Sequence, residues 1–218
     1  MKKIFLVTFC AFTSLSAEVF NGTYSGVNFG YLHTKTKVGT SLINTGVRNT
    51  KSFASKQLTA GLQAGYISTF SNKMLLAGEM NVNVDFMGSK NHSWVYKSGN
   101  NSVSTHVKAH RKYEIGFSGK AGYNFDNFII YTGPFLSFAK MGLRYSDSAG
   151  VTKGDSLKIS YGPLVGADYK VTSRLTAGLE FRYGLTNKTK KNTKGGTSSQ
   201  TIFEPRTFDT RVRINFAF

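Results

Sequence analysis

From residue 23 onwards the chain alternates apolar and polar side chains with a period of two, the spacing of a β-strand with two unlike faces. Residues 23–33 set Val27, Phe29 and Tyr31 against Gly26, Asn28 and Gly30. The pattern recurs over 57–70, 74–87, 113–125, 157–169, 175–185 and 207–218. It is cleanest in 74–87, where Leu76, Met80, Val82, Val84 and Phe86 oppose Glu79, Asn81, Asn83 and Asp85. Residues 128–140 are apolar on both faces, which leaves their facing open. The pattern therefore predicts eight strands.

The connections alternate in length. Ser71-Asn72-Lys73, Asp126-Asn127 and Thr172-Ser173-Arg174 are hairpin-sized and made of turn-forming residues, whereas 34–56, 88–111, 144–155 and 187–206 are long and polar. In an antiparallel meander alternate connections fall at the same end, so short turns share one rim and long loops the other. That asymmetry belongs to a membrane-spanning barrel. The polar face agrees, being rich in glycine and carrying ions of both signs. A solvated sheet face has no need of so much glycine, but the narrow lumen of eight strands does. The expected fold is all-β: an eight-stranded antiparallel up-and-down transmembrane β-barrel. Its lumen charges would be Glu79, Asp85, Glu114, Lys120, Asp168, Glu180, Arg182, Arg211 and Arg213, paired because lone buried ions are costly. An uncharged lumen position such as Asn81 should tolerate serine.

Composition sharpens this picture. With 14% aromatic residues, 23 Gly and 3 Pro the chain favours strands and tight turns, and the aromatics cluster near the short-turn ends, where a barrel meets lipid head groups. Lys2 and Lys3 followed by an apolar run to Leu15 read as a signal peptide over 1–17, ahead of a barrel domain over 18–218. The single cysteine, Cys10, excludes a disulfide framework and Cys-based zinc sites. The formal charge of +17 points to anionic partners, and secretion argues against nucleic acid among them. Three of the long connections hold 15 basic residues against one acid, Glu204. Lys35, Lys37, Lys90, Lys97, Lys188, Lys190, Lys191 and Lys194, with Trp94 for aromatic contact, are the candidate binding residues there. His33, His92, His106 and His110 offer a haem- or metal-binding alternative, but no cofactor or metal site is expected. No strained elbow of the G-x-S-x-G kind is present, and no catalysis is expected.

The first strand, Gly26-Val27-Asn28-Phe29-Gly30-Tyr31, the run Val165-Gly166-Ala167-Asp168-Tyr169 and the terminal Arg213-Ile214-Asn215-Phe216-Ala217-Phe218 resemble the opacity-type outer-membrane β-barrel proteins of Gram-negative bacteria. The resemblance implies an eight-stranded barrel in the cell outer membrane, with lipid, lipopolysaccharide and the barrel-assembly machinery as partners. It implies no single biochemical activity, and with the paired lumen charges the leading expectation is a structural protein with a filled lumen and basic outer loops. An adhesin, a haem- or glycan-binding protein or a narrow-pore porin is the alternative, with anionic glycans or a host surface as further partners. It also marks Ile214, Phe216 and Phe218 as the assembly signal of the closing strand. Deleting Phe218 should therefore keep the protein out of the outer membrane, measured by envelope fractionation. Wild-type levels of the deletion variant would contradict that role.

Overall fold

The computed structural model describes residues 21–218 apart from 43–47, 88–91, 99–100, 126, 148–149, 188 and 194–198. The segment read as a signal peptide, 1–17, lies outside the described residues. The strands are β1 (Gly22–Leu42), β2 (Arg48–Thr69), β3 (Met74–Met87), β4 (His92–Ser98), β5 (Asn101–Phe125), β6 (Phe128–Asp147), β7 (Gly150–Lys170), β8 (Leu175–Thr186), β9 (Thr189–Thr193) and β10 (Ser199–Ala217). Eight of them form one antiparallel sheet in the order β1-β2-β3-β5-β6-β7-β8-β10, and β1 pairs with β10 from Tyr24↔Ala217 to Leu42↔Ser199. Closure leaves no sheet edge, the condition for a strand structure in hydrocarbon, where unpaired backbone groups find no water.

The short turns are tight. At Ser71–Lys73 the Phe70 N–H donates to the Met74 carbonyl at 2.8 Å, and Lys73 takes a positive φ of 65°. Before β8 the Thr172 hydroxyl accepts from the Leu175 N–H at 3.0 Å. At the opposite end the long connections are not loops for most of their length. Polar strand runs through much of 34–56, 88–111, 144–155 and 187–206, with β4 paired to β5 and β9 paired to β10. Neither face of these extensions lies against hydrocarbon, so they carry no apolar alternation by which a strand is read from sequence.

Around the barrel wall the apolar face points outward. Leu62 is 67% exposed and Leu157 66%, and Phe29, Leu76, Val82, Phe117, Val165 and Ile214 are exposed with them. Exposure of so many large apolar side chains fits a lipid-facing wall and no solvated one. The outward face of β8 from Leu175 to Leu185 rises ~33 Å along the strand, or about 25 Å at a tilt of about 40°. At the short-turn rim the rings pair: Tyr123 with Phe125 at 4.7 Å, Phe128 with Tyr169 at 5.0 Å and Phe216 with Phe218 at 5.5 Å. In β6, left open by its sequence, Ile129, Tyr131, Phe135 and Ala139 face inward, while Phe128, Ile130 and Leu136 face out.

The lumen holds apolar groups as well as ions. Tyr24, Ile67, Leu75, Ile129 and Tyr131 cluster inside, toward the short turns. An arginine at a lipid-facing wall position near the bilayer midplane costs about 2–4 kcal/mol. Val82→Arg should lose about that much in a urea titration of the protein in lipid vesicles, and Val82→Leu should lose almost nothing. Equal stability of Val82→Arg and the wild type would contradict the outward assignment.

Candidate functional site

The lumen side chains come from strands that point every second residue inward. Near the short turns, Tyr24 and Tyr131 lie across glycines of the neighbouring strand. A Cβ at Gly65 would fall 2.6 Å from the Tyr24 hydroxyl, and one at Gly166 would fall 2.5 Å from the Tyr131 ring. Only glycine leaves room for rings so placed, and their hydroxyls then reach the charges at the centre.

Those charges form a lower cluster. Glu79 accepts from Tyr24 Oη at 2.8 Å, Lys120 Nζ at 2.8 Å and Arg182 Nη2 at 3.4 Å. Glu180 accepts from Arg182 Nε at 2.6 Å, and Lys120 lies 2.8 Å from it. Arg213 bridges the two carboxylates, one guanidinium nitrogen donating to Glu79 and another to Glu180. Arg213 also donates to the Tyr131 hydroxyl at 2.5 Å, which lies 3.2 Å from Glu180 and 3.3 Å from Asp168. The Tyr131 ring takes Lys120 at 4.8 Å from its centroid and the Arg213 guanidinium at 5.5 Å.

Alongside it, an amide chain runs from Asn28 through Gln63 and Asn215 to Thr176. The upper cluster follows. Arg111 holds Asp85 with two bonds, at 2.6 and 2.9 Å, and donates to Glu114. Arg211 donates to Asp209 at 2.5 Å, Glu114 at 2.9 Å and Asn81 at 3.2 Å. Asn81 also accepts from Asn83 at 2.8 Å. It is therefore not the neutral position expected from sequence, since serine there would strand donors of both partners. Together the clusters and the amide chain touch all eight barrel strands. Arg211 and Arg213, each 1% exposed, are among the most buried side chains in the protein.

All nine sequence-derived lumen charges lie in these two clusters, and sequence reading missed three more. Arg111 was assigned to a basic loop but points inward, because the register of β5 shifts between Arg111 and Tyr113. The extra residue, Lys112, reverses the alternation, so Arg111 and Glu114 share the lumen despite their odd spacing. That correction leaves 14 basic residues on the three outer connections. Asp209 shares the polar face of the last strand, a position legible in the sequence, and pairs with Arg211. Lys158 lies inside on β7, one residue beyond the apolar Leu157. Among the described residues the lumen thus holds six acids and six bases.

Two cavities lie inside among the described residues, one at each level. The centre of a water-sized sphere can sweep about 20 Å³ in the upper one and about 30 Å³ in the lower one. They share no lining residue, and the buried carboxylates Glu79 and Glu180 line neither. Outside, Ile214 and Phe216 face lipid, while the Phe218 N–H donates to the Thr23 carbonyl at 3.0 Å. Lys35 and Lys37 are exposed on β1, with Lys56 and Arg206 exposed on the two adjoining strands. Cross-strand register places Lys35 opposite Arg206 and His33 opposite Lys56, just beyond Tyr31, Leu58 and Phe208 of the apolar wall. Lys90, Lys188 and Lys194 lie outside the described residues, as do the side chains of His92, Trp94, Lys97, His106, His110, Lys190 and Lys191.

Solved structures share this architecture. The outer membrane protein OprG of Pseudomonas aeruginosa is 13% identical, with 91% of this chain and 97% of that chain covered and a TM-score of 0.57. The outer membrane protease OmpT of Escherichia coli is 14% identical, with 94% and 99% covered and a TM-score of 0.51. At these identities the likeness is one of fold. No curated protein sequence matches the chain significantly. The family model described as outer membrane protein beta-barrel domain matches residues 4–216. A closed eight-stranded barrel with an apolar wall, together with a match over nearly the whole chain, makes this a member of the outer-membrane β-barrel family of Gram-negative bacteria, located in the cell outer membrane.

Proposed function

We propose that this chain is a structural outer-membrane barrel, sealed by its own lumen network, whose basic outer end binds phosphate or sulfate groups of surface lipopolysaccharide and acidic glycans. The reading is non-catalytic, and the likeness to a protease is one of fold alone. What supports it is the segregation of charge. Six of the 11 acids and six of the 28 bases are inside, so the rest of the chain holds five acids against 22 bases. Most of those bases lie beyond the apolar wall, on the strand extensions and their connections.

Lys35, Lys56 and Arg206 stand directly above the lipid-facing band on three adjacent strands. Head-group phosphates of the outer leaflet occupy that level. Several cations on neighbouring strands give a field that a single exposed pair does not. In sequence, Lys188, Lys190, Lys191 and Lys194 of the same long connection as Arg206 carry the same sign of charge.

Attraction of this kind is screened over about 8–10 Å at near-physiological ionic strength. Binding of the folded protein to lipopolysaccharide and to heparin should fall steeply between low and moderate salt. Replacing Lys35, Lys56 and Arg206 with serine should weaken lipopolysaccharide binding with folding intact, because exposed charges contribute little to stability. Replacing Lys188, Lys190, Lys191 and Lys194 should weaken heparin binding more. Salt-independent binding that instead fails on loss of His92, His106 and His110 would contradict the proposal.

A further inference from the structure

We infer that the upper cavity is a blind pocket, open toward the outer face, that binds one carboxylate-sized monoanion through Lys158 and Arg182. The other five lumen cations, Arg111, Lys120, Arg182, Arg211 and Arg213, each pair with at least one carboxylate. Lys158, at 9% exposed, is the least enclosed of the six, and among the described residues no carboxylate or hydrogen-bond acceptor meets it. Lys158 lines the upper cavity. A buried charge without a counter-ion is unfavourable, and a bound anion supplies one.

A second donor lines the same cavity. Arg182 uses Nε on Glu180 and Nη2 on Glu79, while its Nη1 is buried without an acceptor. The Phe135 ring, 5.6 Å from the guanidinium carbon, holds that group from the side. Between the levels of Lys158 and Arg182, Ser160 and Thr186 bond each other at 2.7 Å.

Charge sets the ligand class. The carboxylates lining the cavity, Glu114 and Asp209, already accept from Arg111 and Arg211. Asp209 keeps one oxygen without a donor, which repels a second negative charge. The one lumen cation without a direct carboxylate partner is Lys158, which favours a monoanion over a dianion. The swept volume of about 20 Å³ admits a group of a few heavy atoms and no larger body. A carboxylate meets both limits, either as a free small acid or as the acid group of a sugar reaching in from outside. The pocket is blind because the cavity below shares no wall residue with it.

The test uses the full chain folded in detergent micelles, with ¹³C-formate as probe and line broadening as readout. Wild-type protein should broaden the formate signal beyond empty micelles. Lys158→Gln should weaken binding at least about five-fold, and Lys158→Arg should retain it. Heat-modifiable gel mobility checks that each variant is folded. Displacement by glucuronate would identify a sugar acid as able to enter, and its failure would restrict the pocket to free small acids; both results support the assignment. Wild-type broadening no greater than empty micelles, or equal binding by folded Lys158→Gln, would overturn it. Formate flux into vesicles above the protein-free rate would overturn the blind geometry. Neither arm touches the exposed lysines of the outer rim, so failure here is separable from failure of the lipid and glycan reading.

Discussion

Arg213 sits between Glu79 and Glu180, in a lumen too narrow for bulk water and walled on the outside by hydrocarbon. Removing a charge from water there costs several kcal/mol unless other charges and hydrogen bonds replace the lost hydration. Lys120, Arg182, Tyr131 and Tyr24 make that replacement around the two carboxylates. Every member stands on a different turn of the alternation, so the cluster forms only when β1, β3, β5, β6, β8 and β10 are in register. The backbone closure and the ion cluster therefore specify each other.

Much else follows from this constraint. The two tyrosines need glycines beside them to lie flat, which accounts for Gly65 and Gly166 in otherwise well-formed strands. The acids needed inside are drawn from a chain that has only 11, which leaves the remainder strongly basic. Arg111 and Arg211 repeat the arrangement at the upper level around Asp85, Glu114 and Asp209. The cavities at the two levels share no lining residue. A charge-paired core and a basic remainder of the chain are thus two sides of one distribution of charge.

The barrel itself was legible wherever one face of a strand meets lipid. Residues 74–87 read as a strand because apolar and polar groups meet different surroundings, and the strand has those same bounds. Beyond the bilayer both faces meet water, the alternation vanishes, and strand was read as loop in 34–56 and 88–111. In β6 the alternation failed for another reason, since its inward face carries Ile129, Tyr131 and Phe135 toward an apolar part of the lumen. Arg111 was hidden by the bulge at Lys112, which no residue type announces. Lys158 faces inward in phase with its strand, but nothing in the sequence says that it lacks a partner.

The central claim is that the lower cluster acts as one coupled unit, and a double-mutant cycle on Arg213 and Glu180 tests it most directly. Unfolding in urea from lipid vesicles, followed by heat-modifiable mobility, would be measured for Arg213→Met, Glu180→Gln and the pair. Each single change leaves a buried partner uncompensated and should cost about 3–5 kcal/mol. The double variant should cost less than the sum of the singles by at least about 1.5 kcal/mol, a coupling expected only for groups in direct contact. Additive losses would mean that the two groups are independently solvated, and the sealed, charge-paired lumen would be contradicted.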